Sequence, residues 1–176
     1  DKKLDDVRNQ FSLITEGDEL KALIRNGESR RLEFKSTWSY CLKDNEIKQY
    51  LEDKCLRNIV GMMNAVGGDL LIGVEDDGTI LGMDKDLIKF KKKTNQLDSF
   101  LGFIKDKLKK RIGRDNMQFA PYKYVNVDGK KVLKFACRPA PAPVLLDGED
   151  LAVRFSPAVE ILTGQEMLDY VKKRFD

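Results

Sequence analysis

Hydrophobic and polar residues alternate with two different periods along the chain, which predicts both strands and helices. Leu32 and Phe34 alternate with charged residues over 31–35, a pattern typical of a half-buried strand. From 53 to 66, apolar residues recur at the spacing of one helical face before Gly67-Gly68, so we predict a helix that ends at this pair. The apolar run 69–75 and the following Asp76-Asp77-Gly78 predict a buried strand and a tight turn.

The remaining patterns predict helices at both ends and a hairpin between them. Residues 4–25 indicate one or two helices that end near Gly27, and we interpret residues 1–26 as an N-terminal helical cap. Residues 95–111 indicate a long helix. Asp128-Gly129 separates two strand-like runs, 122–127 and 131–137, which predicts a type I′ hairpin. A short strand at 151–155 and a capping box at 163–166 before a last helix complete an α/β pattern.

Composition limits the chemistry more than it identifies it. The 176 residues, 41% of them hydrophobic, suffice for one sizeable core, and we expect a single soluble, cytoplasmic domain because no membrane-length apolar stretch or secretory start is present. The first residue is Asp, so the sequence can be a piece of a longer protein. With no histidine and three dispersed cysteines, a zinc site and a histidine-based catalytic group are not expected. Any catalysis would use carboxylates, lysines or a hard metal ion.

Positive charge is concentrated in one segment. The net charge is +3, but residues 85–114 contain eleven basic and three acidic residues. Apolar residues at helical spacing from Leu97 to Leu108 place the basic residues of the predicted helix on its opposite, solvated face. That face is either a surface that follows a phosphate backbone or a solvated face without a partner, and the sequence leaves both open.

Three stretches resemble the signature of the Schlafen AlbA-type family. Residues 28–35, E-S-R-R-L-E-F-K, are similar to its opening E-S-x-x-L-E-F-K. Residues 63–78, M-N-A-V-G-G-D-L-L-I-G-V-E-D-D-G, are similar to its second block, and 151–156, L-A-V-R-F-S, resemble its late strand with an arginine. The resemblance spans about 28–175. It implies an α/β domain over 27–176 with a mixed, mainly antiparallel sheet flanked by helices.

The resemblance also implies nucleic-acid binding, to RNA or DNA, and in some members a metal-dependent endoribonuclease activity on structured RNA. Its three carboxylates would correspond to Glu28, Glu33 and Glu75, holding Mg²⁺ or Mn²⁺. Independently of the resemblance, Lys35 shares the strand face of Glu33, and a Glu-x-Lys pair can bind a metal ion and stabilise phosphate charge. Glu75 is preferred to Asp76 because, if the strand continued, Asp76 would lie on its apolar face. A surface ladder of ion pairs is the alternative interpretation of Glu28, Glu33 and Lys35.

The basic candidates for nucleic-acid contact are Lys105, Lys109, Lys110, Arg111 and Arg154. Arg154 could contact a phosphate or instead bind an acidic neighbour. By analogy with two-lobed members, a single unit could pair as a homodimer around its substrate. The competing hypotheses are a non-catalytic DNA- or RNA-tethering module of a larger regulatory or defence protein, and a structural scaffold that binds no nucleic acid.

Overall fold

A computed structural model describes residues 15–176, which contain four α-helices and eight strands. The helices are α1 (Glu16–Arg25), α2 (Gln49–Met63), α3 (Gln96–Ile112) and α4 (Gly164–Phe175). The strands are β1 (Leu32–Lys35), β2 (Tyr40–Cys41), β3 (Glu46–Ile47), β4 (Gly68–Ile72), β5 (Tyr122–Val127), β6 (Lys130–Cys137), β7 (Leu151–Arg154) and β8 (Val159–Leu162). No helix among these residues is both long and apolar enough to cross a membrane.

The central sheet has the strand order β1-β4-β6-β5. β1 and β4 run parallel, with Glu33 opposite Leu70, whereas the β4–β6 and β5–β6 pairs are antiparallel. Two separate hairpins, β2–β3 and β7–β8, complete the strands. The expected α/β fold with a mixed, mainly antiparallel sheet flanked by helices is therefore confirmed.

Alternation along the strands divides the core into two layers. Leu70, Ile72 and Phe135 belong to a cluster that includes the buried faces of α2 and α3, whereas Leu71 and Val132 belong to a smaller cluster that includes α1. Because successive side chains of a strand point to opposite faces, the helices cover both sides of the sheet. β1, at the end of the strand order, is an edge strand.

The β7–β8 hairpin packs closely against α2. A Cβ atom on Gly61 would lie 3.1 Å from a Val159 methyl group and 3.3 Å from the Arg154 backbone nitrogen, so the missing side chain permits the contact. At the end of α2, the buried Asn64 side chain donates to the carbonyl oxygens of Val144 and Ala152, both at 2.8 Å. The amide thereby joins the helix to the segment before β7 and to β7 itself.

Several local predictions match the structure. Asp128 and Gly129 both have positive φ, 51° and 82°, as a type I′ hairpin turn requires. Gly67 has φ 75° and donates to the Met62 carbonyl at 2.9 Å, which closes the turn after α2, but the helix itself ends earlier than predicted, at Met63 with Asn64 as its C-cap. α1 ends before Gly27 as expected, while the part of the predicted N-terminal cap before residue 15 lies outside the described residues.

Two predictions need correction, and the structure adds strands that were not predicted. β4 ends at Ile72, because Gly73 adopts φ 94° and a Cβ there would lie 2.9 Å from the Gly82 backbone; the strand does not continue to Glu75. Thr163 precedes α4 as its N-cap residue but forms no side-chain capping hydrogen bond, so the predicted capping box is not formed. β8 was not predicted and pairs with β7 as a second hairpin.

Candidate nucleic-acid interface

The turn before β1 is folded back onto the free edge of the sheet. Ser29 and Leu32 form an isolated antiparallel bridge, and Glu28 precedes it. The Glu28 carboxylate accepts a hydrogen bond from the backbone N–H of Phe34 at 2.9 Å. Glu28 therefore lies in the turn before β1. Its carboxylate binds a backbone N–H of the edge strand in this structure, rather than joining the other two proposed metal ligands.

Arg154, at the end of β7, is buried beneath this turn with 1% of its surface exposed. Its guanidinium donates to the Glu33 carboxylate at 2.8 Å and to the Asn58 side-chain oxygen at 2.6 Å. It also donates to the carbonyl oxygens of Ser29 at 2.7 Å and Arg30 at 3.0 Å. Of the two roles considered for Arg154, the structure places it with the acidic neighbour, where it holds the turn, β1 and α2 together.

A cleft of about 350 Å³ lies beside Glu33 and Asn58, two of the side chains that bind Arg154. We call it the basic cleft; it is lined by Glu33, Lys35, Lys54, Arg57, Asn58 and residues 157–159. Lys35 contacts the Glu33 carboxylate and donates to the Phe34 carbonyl at 2.9 Å. Lys54 and Arg57 are exposed, and neither forms an ion pair among residues 15–176.

The basic cleft is suited to an anion. Three cationic side chains line it against a single carboxylate, Glu33, which is itself bound by Arg154 and Lys35. Unpaired cations on the wall of a concave surface raise the local positive potential and attract negatively charged ligands. Of the residues that the sequence proposed for catalysis, the cleft contains Glu33 and Lys35.

The three proposed carboxylates are not gathered into one group. Glu75 follows β4 in the turn closed by hydrogen bonds from Glu75 to the Thr79 carbonyl and from Gly78 to the Glu75 carbonyl, whereas Glu33 lies opposite Leu70 within the sheet. In the described part of the chain, no three His, Cys, Asp or Glu side chains are placed to hold a metal ion. These residues as arranged do not form a ready metal site, and binding of Mg²⁺ or Mn²⁺ stays a prediction.

The basic residues of α3 fall into two groups. Arg111 pairs with Asp53 at 2.9 Å and Asp147 at 2.7 Å, and Lys107 pairs with the buried Glu52 at 3.0 Å. These ion pairs attach α3 to α2 and to the loop before β7. The predicted contacts Lys105, Lys109 and Lys110 are exposed and stay candidates for nucleic-acid binding.

Comparison with known proteins identifies the family. The family model described as Schlafen, AlbA_2 matches residues 28–160. The chain belongs to the Schlafen AlbA_2 family. Membership supports a nucleic-acid-binding role. No curated protein gives a significant match.

A solved structure agrees with the AlbA_2 fold. The crystal structure of the DIP2311 protein from Corynebacterium diphtheriae is similar over 84% of this chain, with 19% identity and a TM-score of 0.56. The chain spans 28% of the length of that protein. At this identity the likeness concerns the fold alone.

Two of the three Schlafen AlbA_2 signature blocks meet at the basic cleft. The first block supplies Glu33 and Lys35, and the third supplies Arg154, which binds Glu33. Sequence analysis missed Lys54 and Arg57, although both stand on the face of α2 opposite its apolar stripe. Their spacing of three residues was the available signal, because residues three apart are neighbours on a helix surface.

Proposed function

We propose that this domain binds the phosphate backbone of nucleic acid in the basic cleft. The observation that carries the proposal is the set of three cations, Lys35, Lys54 and Arg57, around one cleft at the edge of the sheet. Lysine and arginine supply most backbone contacts in protein–nucleic acid complexes, and such contacts position a strand without reading its sequence. Family membership supports the same ligand class.

Fluorescence anisotropy with labelled single-stranded RNA, tRNA and duplex DNA tests this proposal. The double variant Lys54→Ala/Arg57→Ala should weaken binding about tenfold or more, because two charge-assisted contacts are lost. Lys123→Ala/Lys130→Ala is the matched control: it removes the same charge from β5 and β6, away from the β1 edge. Equal weakening by both variants would reject the cleft as the binding site, and no binding at low salt would favour a structural scaffold.

A metal-dependent endoribonuclease is the second candidate. The observation that favours it is the contact between Glu33 and Lys35 on the wall of the cleft. Cleavage of structured RNA that needs Mn²⁺ or Mg²⁺ and disappears in Glu33→Gln, while RNA binding is retained, would support this activity. Binding without cleavage in either metal would favour the non-catalytic tethering module.

Two further expectations stay predictions. A cytoplasmic location rests on composition, and pairing of two copies around a substrate rests on analogy within the family. Light scattering with and without bound RNA measures the oligomeric state directly. A monomer under both conditions at high protein concentration would exclude the homodimer.

A further inference from the structure

An exposed aromatic ring stands beside the basic cleft. Tyr50, in the first turn of α2, has 50% of its surface exposed. The ammonium group of Lys54 lies 5.3 Å from the centroid of the Tyr50 ring. Tyr50, Lys54 and Arg57 have the spacing i, i+4, i+7, which places side chains along one stripe of a helix. The stripe thus leads from the tyrosine ring to two cations of the cleft.

The Tyr50 ring is not part of the hydrophobic core. The large aromatic residues of the core, Trp38, Phe34, Phe100 and Phe135, are fully buried, whereas Tyr50 belongs to none of the buried clusters. The β2–β3 hairpin next to it also exposes Ile47, by 53%. An accessible aromatic ring next to unpaired cations is the combination that single-stranded nucleic acid uses, with bases stacked on rings and phosphates on lysine or arginine.

We propose that Tyr50 stacks with an unpaired base while Lys54, Arg57 and Lys35 bind the flanking phosphates, so that the preferred ligand is a single strand. The inference rests on the proposed function and adds the ligand's structural class. Bases within a duplex are already stacked on one another and present no free face to a ring. Stacking does not depend on base identity, because every base has a π-face, so the site prefers single strands without reading their sequence.

Anisotropy titrations with three probes test the inference. The probes are a short labelled oligouridylate, its abasic analogue with the same number of phosphates, and a hairpin duplex. Tyr50→Ala should weaken binding of the oligouridylate about fivefold or more and leave binding of the abasic strand and the duplex unchanged. Tyr50→Phe should bind like the parent protein, whereas Tyr50→Leu, which is apolar without a π-face, should resemble Tyr50→Ala. Ile47→Ala is the matched control for an exposed apolar side chain on the neighbouring hairpin.

The results separate this inference from the proposed function. If Lys54→Ala/Arg57→Ala weakens binding but Tyr50→Ala does not, the cleft binds phosphates and the stacking role is wrong. Equal losses for the oligouridylate and its abasic analogue in Tyr50→Ala would also overturn it, since a base would then play no part. If no probe binds at low salt, the proposed function fails first, and the inference fails with it.

Discussion

Arg154 and Arg57 belong to the same corner of the molecule but have opposite environments. Arg154 is 1% exposed and bound to Glu33, Asn58 and several carbonyl oxygens, whereas Arg57 is exposed on α2. Truncating a buried ion pair leaves an uncompensated charge, which costs about 3–5 kcal/mol. Arg154→Ala should therefore lower the free energy of unfolding by about that amount, measured by urea denaturation.

Arg57→Ala is the matched control for Arg154→Ala. Because its side chain is exposed, its loss should change the free energy of unfolding by less than about 0.5 kcal/mol while still weakening nucleic-acid binding. Arg154→Lys should recover only part of the stability, since a single ammonium group cannot reproduce the planar set of donors. Equal unfolding free energies for the two alanine variants would contradict the structural role of Arg154.

Cys55 offers a residue-scale test of the core. Its side chain is fully buried against the loop after β1, and burial raises the pKa of the thiol because the charged thiolate loses its hydration. Since the thiolate is the reactive form, Cys55 should resist iodoacetamide at neutral pH in the folded protein and react once urea unfolds it. Mass spectrometry of the labelled peptides measures this; rapid native labelling of Cys55 would mean that the core opens readily.

At the scale of elements, the predictable parts are those set by neighbours in sequence. The Asp128-Gly129 turn follows from two residues that tolerate positive φ, and α3 follows from its apolar periodicity and the Asn95 cap. β4 shows the limit of this reasoning. Its apolar pattern continues to Val74, but the backbone bends at Gly73, which has φ 94° and lies close to the Gly82 backbone, and the strand ends at Ile72.

The candidate site was also predictable only in part, because some of its contacts join residues that are far apart in sequence. The family signature indicated Glu33 and Lys35, and both line the basic cleft. The burial of Arg154 depends on carbonyl oxygens about 125 residues away in sequence, which no local pattern encodes. Likewise, the charge of Arg111 suggested a phosphate contact, whereas its position between Asp53 and Asp147 is a consequence of how α3 packs against α2.

At the scale of the whole molecule, the number of cations that a bound strand touches distinguishes the cleft from a wider surface. The logarithm of the binding constant falls with the logarithm of salt concentration by about 0.7 per phosphate contacted on a single strand. The three cations of the basic cleft therefore predict a slope of about −2. If Lys105, Lys109 and Lys110 were engaged as well, the slope would approach −4.

We expect the less steep slope, about −2. Lys54 and Arg57 of the cleft share one stripe of α2 with the Tyr50 ring, whereas α3 uses Arg111 and Lys107 to bind neighbouring elements. The measurement is oligouridylate affinity over a series of salt concentrations. Lys54→Ala/Arg57→Ala should reduce the slope to about −0.7, and charge reversal at Lys105, Lys109 and Lys110 should leave its value near −2. A slope near −4 that is halved by charge reversal on α3 would instead show that the interface extends across that helix. The nucleic-acid strand would then contact both α2 and α3, which the ion pairs of Glu52 and Asp53 hold together.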